Sequence, residues 1–559
     1  MTFGREPAAE RSSVTSLIAK LGDGWVHPER VSTGWKPLVV FLLLTCLIVT
    51  SCWVLGPYPV TKFPKDTIYA LSQGDLILQG KRPYVDYYSM HGPVPFLFSA
   101  VAMSVYGISM ESILLTQILG ALVFGALMFK IASSRVNGFW TVYLAIGVEL
   151  ILVNFTPIGS KSWREFTWAM CYNPLGYCIE ATVFLYLLAP SRARSRLSLW
   201  SDHLIIASLL MACFLTKLSY FAPTVIVFVV ATVILPQNRQ SRILGLIVLA
   251  VAVALCFAVM GALGGSIPDY LEFLSIMKLK VSPIMLALRF VHYTRTVGLF
   301  VLGILLLAWY ASEVGVLRQH VREFLLVPLM LGCILVSAST SAQDLEMLPL
   351  LGVIPLGLAV TLNLTAQRRS FSINKYLVAA GLGVALLLSV HEPKNSILSW
   401  AFSHTTVRTI ADPVERVSLS EIKSRNEALS PRVDPSLFTW MPKDWTDEQF
   451  DAIALLQRNG FAKDEVLYVA ADVSFINLLM GVKYPQSFVV WWPFGYIDDP
   501  QQIRLLDEHL LEDADWILQN SEYKSFWEYL EFVRGDFIDA HFDRVDASGK
   551  WTLYHRKSK

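Results

Sequence analysis

The chain of 559 residues is 54% hydrophobic and only 16% charged, with a mean hydropathy of +0.49. These values exclude a soluble globular protein and predict a polytopic membrane protein. A net charge of +1 gives no sign of a nucleic-acid partner or a polybasic surface.

Residues 1–36 are polar and longer than the basic end of a signal peptide, so they read as a cytoplasmic segment ahead of a retained anchor. A helix needs about 20 apolar residues to cross a bilayer. Apolar runs near 37–56, 111–133, 138–155, 172–190, 203–218, 219–236, 243–262, 297–312, 324–339, 347–365 and 374–391 then give about eleven spans. The pair 203–218 and 219–236 is one long apolar stretch, broken where Lys217 and Pro223 stand. With the N-terminus inside, every inner loop is basic: Arg135, then Arg192, Arg194 and Arg196, then Arg239 and Arg242, Arg318 and Arg322, and Arg368 and Arg369. An odd number of spans puts the C-terminal region outside the cytoplasmic membrane. The seven cysteines fall mostly in or beside apolar runs without metal-type spacing and read as small buried residues.

Four segments remain outside: 57–110, 156–171, 263–296 and 340–346. Several carry cations against the simple charge rule, which points to an anionic ligand. Residues 392–445 are polar and proline-studded and read as a linker. Residues 446–559 alternate between helical and strand patterns. A helix stops at Gly460; "EVLYVA", "SFVVWW" and "ADWILQ" read as strands; "VSFINLLMGV", "DPQQIRLLDEHLLE" and "YKSFWEYLEFV" read as helices; a hairpin closes around "ASGK". This predicts an α/β layer domain. The fold class is therefore a polytopic α-helical membrane protein with a C-terminal extracytoplasmic α/β domain.

The first outer loop is the unusual part. "DTIYALSQGDLILQG" has helical spacing, and "PVPFLFSAVAMSVYG" is apolar but too short to span, which suits a helix in the membrane interface. Asp66 stands three residues before Tyr69. Gly80, then Pro83-Tyr84-Val85-Asp86, then His91-Gly92-Pro93 follow. This order resembles the first outer loop of the GT-C superfamily of polyprenyl-phosphate-sugar-dependent glycosyltransferases, which includes protein mannosyltransferases and aminoarabinose transferases. The chain departs from that pattern at Thr67, where glutamate is common, and at His91, where lysine is frequent. The resemblance implies a GT-C-like membrane domain over 37–391. It also implies transfer of a sugar from a polyprenyl-phosphate donor to a glycan, lipid or protein acceptor. Membrane lipids are implied partners. No cofactor is expected; a divalent cation is left open.

That chemistry needs a base for the acceptor hydroxyl and cations for the leaving phosphate. The resemblance makes Asp66 the base, although a carboxylate just before a helical pattern also suits an N-cap. Asp86 either assists it or is an ordinary turn carboxylate. Lys217 is a lysine inside apolar sequence, which is costly and functional by default; it suits the phosphate, as do His91, Lys161 and Arg164. Arg289, His292 and Arg295 either join them or bind lipid headgroups. Tyr69 and Tyr84 belong to the resembling loop. Tyr172, Asn173 and Asp344 stand at outer ends of spans, where they either touch sugar hydroxyls or cap helices. Two other readings are an O-antigen-type ligase or polymerase and, in a different class, a lipid or glycan transporter. The transporter reading requires internal repeats and charges deep in several spans.

Overall fold

The computed structural model describes residues 28, 30–31, 34–57, 60, 64–89, 91–154, 172–192, 195–234, 239–276, 294–340, 352–368, 381, 383, 415–470, 475–485, 488–489, 511–523 and 535–557. Most of them are helical. Among the described residues, five helices are long and apolar enough to cross a membrane, and five shorter apolar helices accompany them.

The first span, α1 (Lys36–Leu55), has proline in its first turn and ends at Gly56 with φ +72°. Both residues punctuate helices: proline lacks a donor that the first turn does not need, and glycine accepts the left-handed exit. Leu43, Leu47 and Val54 stand more than half exposed on its outer face, as lipid contact requires. After the first loop come α4 (Met110–Ser133), α5 (Gly138–Leu152), α6 (Tyr172–Leu188), α7 (Arg196–Phe214) and α8 (Leu218–Val229). Then follow α9 (Arg239–Ala262), α10 (Ile267–Ile276), α11 (Thr294–Glu313), α12 (Val321–Thr340) and α13 (Val353–Arg368). The run expected at 203–218 begins seven residues earlier, because Ser195 caps the helix by accepting from the Ser198 amide. The expected break at Lys217 is present: α7 ends before it and α8 begins after it. The run at 374–391 lies outside the described residues apart from two positions.

One end of the bundle is held by buried charge. Asp202 of α7 accepts from Arg135 at 2.6 Å and pairs with Lys130 at 3.1 Å. Ser134 donates to the same carboxylate. This is the end the charge rule assigns to the cytoplasm.

At the other end lies the first loop. It folds as α2 (Pro64–Leu78), the short strand β1 (Tyr87–Tyr88) and α3 (Val94–Tyr106). Helix α2 is buried continuously from Thr67 to Leu76. Gly74 lets it lie against α3, since a Cβ there would stand 2.9 Å from Ser99 Cβ and 3.0 Å from the Ala100 nitrogen. Helix α3 turns Phe96 and Met103 inward and leaves Val101 and Val105 more than half exposed, as an interfacial helix would.

The C-terminal region contributes α14 (Leu419–Ser424), α15 (Lys443–Arg458), β2 (Leu467–Ala470), α16 (Ile476–Met480), β3 (Phe488–Val489), β4 (Trp516–Asn520), β5 (Phe542–Ser548) and β6 (Trp551–Arg556). Four strands form a sheet in the order β2-β4-β6-β5, with β2 and β4 parallel and the rest antiparallel. The expected hairpin around "ASGK" is β5–β6, with Gly549 at φ +57°. Three features differ from the sequence reading. The helix expected over "VSFINLLMGV" is only five residues long. The two described residues of the "SFVVWW" strand pair in parallel with β1 of the first loop rather than with the sheet. Of the stretch expected as a linker, residues 415–442 pack down: Val417, Ile422, Leu437, Phe438 and Met441 are buried in one core with Ile68, Leu71 and Phe96 of the first loop. Apart from residues 511, 512 and 523, the helices expected over "DPQQIRLLDEHLLE" and "YKSFWEYLEFV" lie outside the described residues, as do Trp491 and Trp492.

Candidate active site

The first loop docks on the turn between α7 and α8, and that contact builds the site. The Gly92 amide donates to the Thr216 carbonyl and the Val94 amide to the Leu215 carbonyl, each at 3.1 Å. Gly92 is required by space rather than by backbone angle. A Cβ there would stand 2.1 Å from the Leu215 carbonyl oxygen. The next residues along each strand of this contact are His91 and Lys217.

His91 is buried, with its ring stacked on Tyr172 at a centroid distance of 3.6 Å. Lys217 Nζ sits 5.2 Å from the centre of the same Tyr172 ring and 5.7 Å from that of Tyr220. Burial, with the Lys217 charge adding to it, holds the His91 imidazole well below its usual pKa. The tyrosine hydroxyl of Tyr69 meets His91 Nδ1 at 3.2 Å and Ser89 Oγ at 2.6 Å. Tyr84 is fully buried and donates to the Ser89 carbonyl at 3.1 Å and the His91 carbonyl at 2.8 Å. It has φ +61°, a conformation that a bulky side chain adopts only when its surroundings enforce it. Here the enforcement comes from Tyr270, whose ring lies 4.6 Å away, and from those two hydrogen bonds.

On the span side, Tyr220 donates to Asn173 Oδ1 at 2.8 Å, and its hydroxyl oxygen meets the Tyr177 hydroxyl, which can donate to it, at 2.6 Å. Gly176 makes room for the Tyr220 ring, which would meet a Cβ at 2.7 Å. Asn173 is fully buried, and its Nδ2 has no hydrogen-bond partner among the described residues. Asn173 therefore braces Tyr220 rather than capping α6. Lys217 precedes α8 without capping it through its side chain, and it has no ion-pair partner among the described residues. An ammonium held against aromatic faces with no carboxylate beside it is suited to an incoming anion.

Asp66 lies in the first turn of α2, two residues after Pro64 opens the helix, so it is not the N-cap. It is half-buried and one turn before Tyr69 on the same helix. Asp86 takes the turn role: it accepts from the Arg82 amide at 2.8 Å and pairs with the Arg82 guanidinium at 2.8 Å. The Arg82 hydrogen bond holds its carboxyl below the usual range. The structure thus brings Tyr69, Tyr84, His91, Tyr172, Asn173 and Lys217 into one cluster and leaves Asp86 to Arg82. Lys161, Arg164, Arg289, His292 and Asp344 lie outside the described residues, and so does the side chain of Arg295.

Sequence reasoning missed Ser89, Tyr177 and Tyr220, which carry no motif; only their polar type in an outer segment or at a span's outer end could have marked them. It also passed over two acids inside spans. Glu149 of α5 accepts from Thr45 at 2.8 Å, and Glu180 of α6 accepts from Ser337 at 2.5 Å. Both sit in strongly apolar sequence, "GVELIL" and "CIEATV", where a lone carboxylate is itself a signal.

No family model and no curated protein matches the chain. Solved structures similar to it include ArnT from Cupriavidus metallidurans in the apo state, at 13% identity and TM-score 0.42 over 92% of this chain and 97% of that one. The same protein bound to undecaprenyl phosphate gives 13% identity and TM-score 0.44 over 93% and 98%. The archaeal oligosaccharyltransferase AglB from Archaeoglobus fulgidus, in complex with an inhibitory peptide and a dolichol-phosphate, gives 13% identity and TM-score 0.36 over 94% and 75%.

Proposed function

We propose that the chain is a membrane glycosyltransferase. It moves a sugar from a polyprenyl-phosphate donor to a glycan, lipid or protein acceptor at the outer face of the cytoplasmic membrane. The observation that carries this reading is the Lys217 amine, free of any carboxylate among the described residues and set beside His91 on the Tyr172 ring. The loop that resembles the GT-C pattern is the loop that delivers His91 to that place.

In this reading the donor phosphate binds between Lys217, His91 and the Asn173 amide. The neutral imidazole accepts from Tyr69 at Nδ1 and presents Nε2–H to a phosphate oxygen. Asp66 takes the proton from the acceptor hydroxyl as that oxygen attacks the sugar's anomeric carbon. The bond from that carbon to the phosphate oxygen breaks, and its electron pair leaves with the phosphate. Lys217 and His91 hold the departing charge where water is scarce, and such contacts are stronger there than in bulk solvent.

The test is sugar transfer measured by mass spectrometry of surface glycans in cells carrying Asp66→Asn. Loss of a general base lowers rates by about 10²–10⁴-fold. The expected result is loss of the modified glycan at unchanged protein level. Unchanged glycans with Asp66→Asn would remove the assignment.

A further inference from the structure

A cavity of about 390 Å³ lies away from this site, at the seam between the far end of α2 and the C-terminal region. Its walls are Asp75, Gln79 and Lys81 on one side and Arg432, Lys483 and Tyr484 on the other. That volume falls in the range of small-molecule sites. We propose that this cavity binds an anionic saccharide, as the outer end of the acceptor.

Three cations face it and one carboxylate. The carboxylate is already committed. Asp75 is 3% exposed in its side chain and pairs with Arg432 at 2.6 Å. Gln79 Nε2 donates to its other oxygen at 2.5 Å. Burial pushes the Asp75 carboxyl up from its usual value, while Arg432 opposes that shift. Lys81 and Lys483 have no ion-pair partner among the described residues, and they stand on opposite walls. The cavity therefore keeps two uncommitted positive charges. Its remaining polar groups, the Gln79 amide and the Ser430 and Tyr484 hydroxyls, are of the kind that hold sugar hydroxyls. Ile108, Leu478 and Val482 give it an apolar surface for the carbon faces of a sugar ring.

Position favours an acceptor over an isolated ion. Asp66 and Asp75 are on one helix and nine residues apart, which is about 13 Å at the helical rise. Nine residues also turn the helix by about 900°, so the two carboxylates face opposite sides of it, and with Thr67 to Leu76 buried between them an acceptor joining the two places passes around α2 rather than along it. Naming the saccharide as the acceptor rests on the proposed function. The binding claim itself does not.

The experiment uses the full chain in lipid nanodiscs and measures binding by calorimetry. Three oligosaccharides of equal length serve as probes: one carrying uronate groups, one carrying phosphate groups and one neutral. The acidic probes are expected to bind, more weakly as salt rises, and the better of the two identifies the acid. Lys81→Ala with Lys483→Ala is expected to weaken acidic binding about tenfold or more. Asp66→Asn is expected to bind as the parent does, which separates this site from the base assignment. Equal binding of acidic and neutral probes, no binding of any probe, or undiminished binding by the double variant would each overturn the proposal.

Discussion

Replacing Gly92 with alanine tests how the candidate site is assembled. The new methyl would overlap the Leu215 carbonyl, with 2.1 Å to its oxygen, 2.3 Å to its carbon and 2.7 Å to Leu215 Cα. All three are backbone atoms, so no side chain can rotate away. The loop must lift from the α7–α8 turn, losing the Gly92–Thr216 and Val94–Leu215 hydrogen bonds. At about 0.5–1.5 kcal/mol each, that is about 1–3 kcal/mol. If the docked state is the one that binds donor, affinity falls by about five- to a hundredfold or more. The assay is donor binding to the purified protein, beside its thermal melt. Gly147→Ala is the control. Gly147 is in mid-helix with nothing within 4 Å of its Cβ position, so alanine there is neutral or stabilises by about 0.5–1 kcal/mol. Parent-like donor affinity in Gly92→Ala would refute the claim that this contact builds the site.

Tyr69→Phe keeps the packed ring and removes the hydroxyl from His91 and Ser89; the turnover rate is expected to fall about tenfold with expression unchanged, checked by single-turnover transfer. His91 gives a pH dependence. Its folded pKa is held below the unfolded value of 6.5, so the unfolded chain gains a proton first. Its contribution to stability is whole above about pH 6.5 and falls by about 1.4 kcal/mol per unit below it. Melts between pH 5 and 8 should show this slope, and His91→Gln should flatten it. At the opposite end, Asp202→Ala leaves the buried Arg135 charge uncompensated at an expected cost of about 3–5 kcal/mol, read as a lower melting temperature with donor affinity kept in the folded fraction.

The membrane helices were legible because hydropathy is a property of long windows and the bilayer fixes their length. The break at Lys217 was legible for the same reason: one apolar stretch too long for a single helix, holding a charge and a proline. His91, Tyr172, Asn173 and Lys217 were each visible as polar residues near span ends. Their convergence was not, because it depends on Gly92 meeting a backbone carbonyl over a hundred residues away. The fate of Asp86 was not legible either, since Arg82 lies one turn upstream and any exposed carboxylate there would take it. Helix α2 misled in a different way. Its helical spacing was visible, with Ile68, Leu71, Leu76 and Leu78 apolar, yet Ser72, Gln73 and Asp75 are buried as well. A helix covered from two sides by different parts of the chain has no periodic signal of either cover.

The shared core of first loop and C-terminal region has a practical outcome. Ile68, Leu71, Leu76 and Phe96 lose Leu437, Phe438 and Met441 from the core they share if the chain is cut after residue 391. Such a fragment would keep every predicted transmembrane helix and yet uncover apolar side chains beside the candidate site. The C-terminal region is thus joined to the first loop through one core, and exchanging it with that of another protein would require transplanting α2, β1 and α3 along with it.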